Sequence, residues 1–205
     1  MNYNTLASKD SIKKTMDELK DRGHLPELVE SRIEALQRIK DLIPHGASVM
    51  NGSSRTLEEI GFVDYLKEGN HGWNNLHEAI IAEKDPAQQA VLRKQSVLSD
   101  FYLGSAHAVT EKGEMLIASN SGSQLPHIAF TSPNLIFVVG AQKITPTLTD
   151  AFDRLEKHVV PLEDERMQKA MGTGTYPSKV LIVNKEQPFM GRKSLVIFVN
   201  EKLGF

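Results

Sequence analysis

Apolar residues recur at helical spacing over the first 45 positions of the chain. Ile12, Met16 and Leu19 fall at i, i+4 and i+7, behind Ser8 or Asp10 as an N-cap and ahead of Gly23 as a stop. Leu28, Ile33, Leu36, Ile39 and Leu42 approximate a second stripe, and Pro26 suits its first turn. The spacing predicts a helical arm over 1–45, packed outside a core or on another subunit. From residue 46 onward the pattern changes to short apolar runs alternating with amphipathic stretches. Ala47–Met50, Ala108–Thr110, Met115–Ala118, Asn134–Gly140, Val180–Val183 and Leu195–Val199 read as strands. Thr56–Ile60, Pro86–Tyr102, Thr147–His158 and Leu162–Met171 read as helices. Asn134–Gly140 is apolar without interruption after its first residue, as a strand buried on both faces should be. The alternation predicts an α/β domain over 46–205 with a mostly parallel central sheet and flanking helices. Leu135–Val139, Val180–Val183 and Val196–Val199 are expected side by side in that sheet, all buried.

Composition narrows the function. Twenty-four basic and 26 acidic residues give a net charge of −2, so no basic field exists to attract nucleic acid or a membrane surface. Cysteine is absent, which removes disulfides, thiolate zinc sites, cysteine-ligated iron–sulfur clusters and a cysteine nucleophile. No signal peptide and no membrane span is visible, and the expected location is the cytoplasm. The seven histidines are scattered without ligand spacing, so no metal site is expected.

Ligands of such sheets bind beyond the carboxyl ends of the strands. Three junctions there carry suggestive chemistry. Gly52, Ser53, Ser54, Arg55 and Thr56 join a strand to a helix, with small residues for close backbone approach and a guanidinium for an anion. A plain N-cap explains the same serine and threonine equally well. Asn120, Ser121, Gly122, Ser123 and Gln124 follow another strand and form either an anion cradle or a solvated turn. Lys143 stands just past the buried strand, where an exposed loop lysine would meet a ligand anion or bulk water. Glu111, in the turn Thr110–Glu114, is the candidate base or nucleophile, against the simpler reading of a solvated turn residue. Met171–Lys179 fails as a phosphate-binding P-loop, because Ser178-Lys179 opens a strand and not a helix.

Taken together, Gly104-Ser105-Ala106-His107-Ala108-Val109-Thr110-Glu111-Lys112-Gly113-Glu114, Ala118–Pro126 and Val138–Pro146 resemble the signature of the LUD (lactate-utilization) domain family. Asn51–Leu57 and Glu201–Phe205 fit its single-domain members. His107, inside that signature, joins the candidate ligand contacts. The resemblance implies a fold similar to glucosamine-6-phosphate deaminase, ribose-5-phosphate isomerase and coenzyme A transferases, and a role in lactate-to-pyruvate metabolism with a small anionic ligand. Larger relatives carry cysteine motifs for iron–sulfur clusters. This chain would work beside an iron–sulfur oxidoreductase partner, or in another pathway, as a homo-oligomer with an unidentified cofactor. Coenzyme A transferases of this fold use a glutamate followed closely by glycine, a form that Glu111-Lys112-Gly113 resembles. A transferase or sugar-phosphate isomerase is therefore the rival reading, and a non-catalytic binding subunit the third. Where the family often has Glu-Thr-Gly-Thr, this chain has Glu111-Lys112-Gly113-Glu114.

Overall fold

The two longest apolar runs form the centre of a parallel sheet. A computed structural model describes residues 2–205. In chain order it contains α1 (Lys9–Asp21), β1 (Leu25–Val29), α2 (Arg32–Leu42), β2 (Ser48–Asn51), α3 (Arg55–Glu59), α4 (Phe62–Glu68), β3 (Asn74–Asn75), α5 (Leu76–Ala82) and α6 (Pro86–Gln95). It continues with β4 (Phe101–Gly104), β5 (Ala108–Thr110), β6 (Met115–Ser119), β7 (Asn134–Gly140), β8 (Ile144–Thr145), α7 (Leu148–Arg154), α8 (Val160–Met171), β9 (Lys179–Val183) and β10 (Lys193–Val199). Six strands pair in the order β1-β10-β7-β4-β2-β3, every pair parallel. Four more form a second sheet in the order β8-β5-β6-β9.

Alternation along the strands sorts the core. Ile136, Val138, Leu195, Ile197 and Val199 point to one face of the large sheet, where Ala35, Ile39, Leu57, Phe62 and Trp73 cover them. Leu135, Phe137, Val139, Val196 and Phe198 point to the other, against Val109, Met115 and Ile117 of the second sheet and Leu19 of α1. The outer face of the second sheet, Ala108, Leu116 and Ala118, packs on Ala151, Leu155 and Val159. Those last residues belong to one long helix, because a wide turn at Leu155–Val159 links α7 to α8.

Three expectations need correction. The helix expected from Pro26 begins only at Arg32, capped by Ser31, and Leu25–Val29 is instead an edge strand against β10. A proline lacks the N–H that an inner strand would need, and an edge tolerates it. The helix expected to reach Tyr102 ends at Gln95, followed by a tight turn over Ser96–Leu98. Phe101–Gly104 is a strand, with Leu103 on one face of the sheet and Tyr102 on the other. Finally, Val180–Val183 lies in the second sheet, antiparallel to β6, with Val180 exposed and Leu181–Val183 half-buried. A four-residue apolar run carries no mark of which sheet it joins.

Candidate functional site

The chain leaves β2, β4 and β7 at neighbouring carboxyl ends of the large sheet, where a cavity of about 630 Å³ opens. Gly52–Thr56, Ser105, His107, Ala118–Ser121, Ser123, Gln124 and Lys143 line it. The opposite wall is the long helix, with Leu155, Val159, Val160, Glu163, Arg166 and Met167. Met171, Thr175 and Tyr176 close one side.

Backbone proximity requires glycine at two points. A Cβ on Gly52 would lie 2.7 Å from the Tyr102 hydroxyl and 2.8 Å from Gln124 Oε1. That hydroxyl donates to Gln124 Oε1 at 3.1 Å, and Gln124 Nε2 donates to the Ala118 carbonyl, so the glutamine is fixed between two strands. Burial pushes the Tyr102 phenol upward, which keeps it protonated as the donor. Gly204 has φ +64°, and a Cβ there would lie 2.4 Å from Thr56 Oγ1. The segment Glu201–Phe205 is held against the sheet edge by Gln142, which donates to the Leu203 carbonyl at 2.8 Å, and by Glu59, which accepts the Gly204 N–H at 2.7 Å.

Lys143 is not the exposed loop lysine expected: it is 3% exposed, on a tight turn straight after β7. Its Nζ donates to Thr56 Oγ1 at 2.9 Å and Ser105 Oγ at 3.2 Å. Both hydroxyls spend their own protons elsewhere, on the Leu203 and Ala106 carbonyls, and are left as acceptors for the amine. Burial, and then the Arg154 guanidinium, push the amine down to about 7, against a smaller opposing pull from Glu59.

His107 shares this floor. Its Nδ1 accepts the Ala118 N–H at 3.1 Å, so the ring is the neutral tautomer with the proton on Nε2. Burial, with Lys143 and Arg154 nearby, pushes it down to about 3. Arg154, fully buried, donates to the His107 carbonyl at 2.7 Å, while its Nε and second terminal nitrogen have no partner among the described residues.

The rim carries three arginines, Arg55, Arg93 and Arg166. Arg55 is paired with Glu58 and Glu59, and Arg166 is held in a two-bond pair by Glu163 and reaches Ser53 at 3.4 Å. Arg93 lines the cavity without an ion pair among the described residues. Four basic side chains thus border the cavity; Glu58 and Glu59 offset Arg55, Glu163 offsets Arg166, and Lys143 and Arg93 have no carboxylate partner among the described residues. The two cations without a carboxylate, Lys143 and Arg93, can face an anion. Among the described residues no three His, Asp or Glu side chains gather as a metal would require.

Of the residues expected at the site, two lie elsewhere. Gly122, at φ +84°, turns away beside the Lys179 side chain. The loop around it is held internally: Ser119 Oγ accepts the Gly122 N–H, and Ser121 Oγ accepts the Ser123 N–H. Glu111 sits in the β5–β6 turn, whereas the cavity is at the other end of that hairpin, beside His107 and Ala118. Four strand positions separate Glu111 from His107, about 13 Å along the backbone. Its carboxylate accepts the Ser11 hydroxyl at 2.7 Å and the Lys14 ammonium at 2.9 Å, bonds that hold it below the usual carboxylate range and tie α1 to the hairpin. Several lining residues lay outside the sequence reading of the site, among them Ser105, which follows Gly104 at a strand end and so offered a signal, and Arg93, Glu163 and Arg166 on helices, whose local sequence carries no mark of a ligand space.

No functionally curated protein matches the sequence. A solved structure of a DUF162 family protein from Deinococcus radiodurans superposes with a TM-score of 0.56, covering 95% of this chain and 99% of that one at 11% identity. At that identity the likeness is one of fold. The LUD domain family model matches residues 12–199. With that match spanning nearly its whole length, the chain belongs to the LUD domain family.

Proposed function

We propose that this protein acts in organic-acid metabolism of the lactate-to-pyruvate type and binds the acid in the cavity at the sheet's carboxyl edge. The observation that carries the reading is Lys143, a buried amine bonded only to neutral hydroxyls, beneath a rim of three arginines of which Arg93 is unpaired among the described residues. Such a floor lacks the counter-charge that a ligand carboxylate supplies. The volume exceeds what a three-carbon acid fills, and Leu155, Val159 and Met167 offer an apolar wall for a longer substituent. Oxidising a 2-hydroxy acid to a 2-oxo acid releases two electrons and two protons. This chain has no cysteine to hold an iron–sulfur cluster, so the electrons pass to a separate acceptor, protein or small molecule.

The transferase alternative needs a carboxylate nucleophile in the cavity. Glu111 is outside it, and Glu163 is clamped by Arg166. Thermal unfolding against lactate, pyruvate, longer 2-hydroxy and 2-oxo acids, sugar phosphates and acyl-coenzyme A tests the reading. A ligand at about 100 times its Kd adds about 2.7 kcal/mol. Stabilisation by organic acids, lost in Lys143→Met, is expected. Stabilisation by sugar phosphates or acyl-coenzyme A alone would overturn it.

A further inference from the structure

Lys143 differs from the other cavity cations in being buried with no carboxylate against it. Arg55 and Arg166 are paired with glutamates, and Arg93 is exposed. Lys143 is buried, its bonded partners are the hydroxyls of Thr56 and Ser105, and it forms no ion pair among the described residues. The charged and titratable groups around it come from α3, α7, the residue before β5, and the wide turn between α7 and α8. In that turn His158 feels the Lys143 charge and is itself pushed down chiefly by burial. Arg154 on α7 repels a proton on the amine, and Glu59 on α3 attracts one, but both Glu59 oxygens already accept from Arg55 and the Gly204 N–H. His107, just before β5, is kept neutral chiefly by burial, and its Nδ1 accepts the Ala118 N–H. The balance brings the amine to about 7, so near neutrality a large share of molecules carry a free lone pair. An exposed lysine at the same pH is almost wholly ammonium. A desolvated amine beside another cation is the ordinary way in which a lysine becomes a nucleophile toward carbonyl carbon.

We propose that Lys143 forms a reversible imine with the carbonyl carbon of a 2-oxo acid held in this cavity. The inference rests on the organic-acid reading above and adds a covalent step to it. The amine lone pair attacks the carbonyl carbon, the carbonyl oxygen takes up a proton that nitrogen releases, and a carbinolamine results. That species loses one water to leave the C=N bond, and water reverses the step, so no oxidant or reductant is consumed. The Thr56 and Ser105 hydroxyls, as acceptors, orient the amine N–H bonds and thereby aim the lone pair. The acid's carboxylate has His107 Nε2–H and the arginines in the same cavity to meet, and its hydrocarbon has the wall of Leu155, Val159 and Met167.

Reductive trapping tests the step. The full-length protein is incubated with glyoxylate, pyruvate or 4-methyl-2-oxopentanoate and cyanoborohydride, then analysed by intact mass and peptide mapping. One adduct per chain is expected, mapped to Lys143, with labelling at least about tenfold above any exposed lysine, because its free-amine fraction near neutrality is far larger. An unreactive 2-hydroxy acid in excess should protect it, and Lys143→Arg, which keeps the charge and cannot form an imine, should abolish it. Mapping on the unaltered chain decides the matter even if that variant folds poorly. Calorimetry run in parallel separates the two claims. If 2-oxo acids bind but labelling is spread over surface lysines, the imine is refuted and the organic-acid reading stands. If none binds and Lys143 stays unlabelled, both fall.

Discussion

Replacing Lys143 with Met separates the cost of burying the amine from everything else at the site. Methionine is about as long and is apolar, and the Thr56 and Ser105 hydroxyls keep their carbonyl partners, so no buried donor is orphaned. In the unfolded chain Lys143 titrates at its ordinary 10.5, and in the folded protein burial and Arg154 bring it to about 7. Between those values the unfolded state binds more protons than the folded one. The lysine's burial penalty is therefore fully present below the folded value and is relieved as pH rises toward the unfolded one. From about pH 7.5 to about 9.5 the average difference is nearly one proton, worth about 2.5 kcal/mol to the native protein and nothing to Lys143→Met. For a chain of this size that is a relative Tm gain of about 5–10 °C. This window lies above the range in which the buried histidines titrate. Urea unfolding of both proteins at several pH values across it gives the double difference directly. Parallel stability curves would mean that Lys143 titrates alike in both states, and would refute the account of the site as a desolvated, uncompensated amine.

Gly52→Ala places a methyl group between the Tyr102 hydroxyl and Gln124 Oε1, costing about 1–3 kcal/mol by overpacking; it should also weaken ligand binding, and an unchanged Tm with unchanged binding would show that the loop yields freely. Glu111→Gln should lower stability by no more than about 1 kcal/mol, since Lys14 is largely exposed, and leave calorimetric binding of cavity ligands intact; loss of binding would restore the carboxylate to the site. His24, His107 and His127 are pushed down to about 4, 3 and 4, chiefly by burial. The unfolded chain then binds more protons below about pH 6.5, so the denaturation midpoint should fall as pH drops, by roughly 1.4 kcal/mol per pH unit for each histidine while the folded ring stays neutral. A flat midpoint down to about pH 5 would count against their burial as neutral rings.

Local pattern carried far in this protein. The run Asn134–Gly140 could only be satisfied by apolar neighbours on both faces, and it became an inner parallel strand. Ser8, with Ile12 and Leu19 on one face, marked the first helix, and the small-residue junctions after β2 and β6 marked where the backbone bends around a ligand space. Those are properties of short segments, settled by periodicity, capping and steric size. Other features depended on which segments met. Pro26 could open a helix or lie on a sheet edge, and pairing with β10 decided for the edge. Val180–Val183 carried no information on its sheet, and β6 claimed it. Glu111 and His107 are neighbours in one signature, yet a hairpin carries its turn and its strand ends to opposite sides, leaving the histidine in the cavity and the glutamate on α1. Lys143 shows the division most clearly. Its position after β7 was legible, but the state of its amine depends on a serine, a threonine, an arginine and a glutamate brought from distant parts of the chain, and desolvation is a property of the assembled volume that no local sequence encodes.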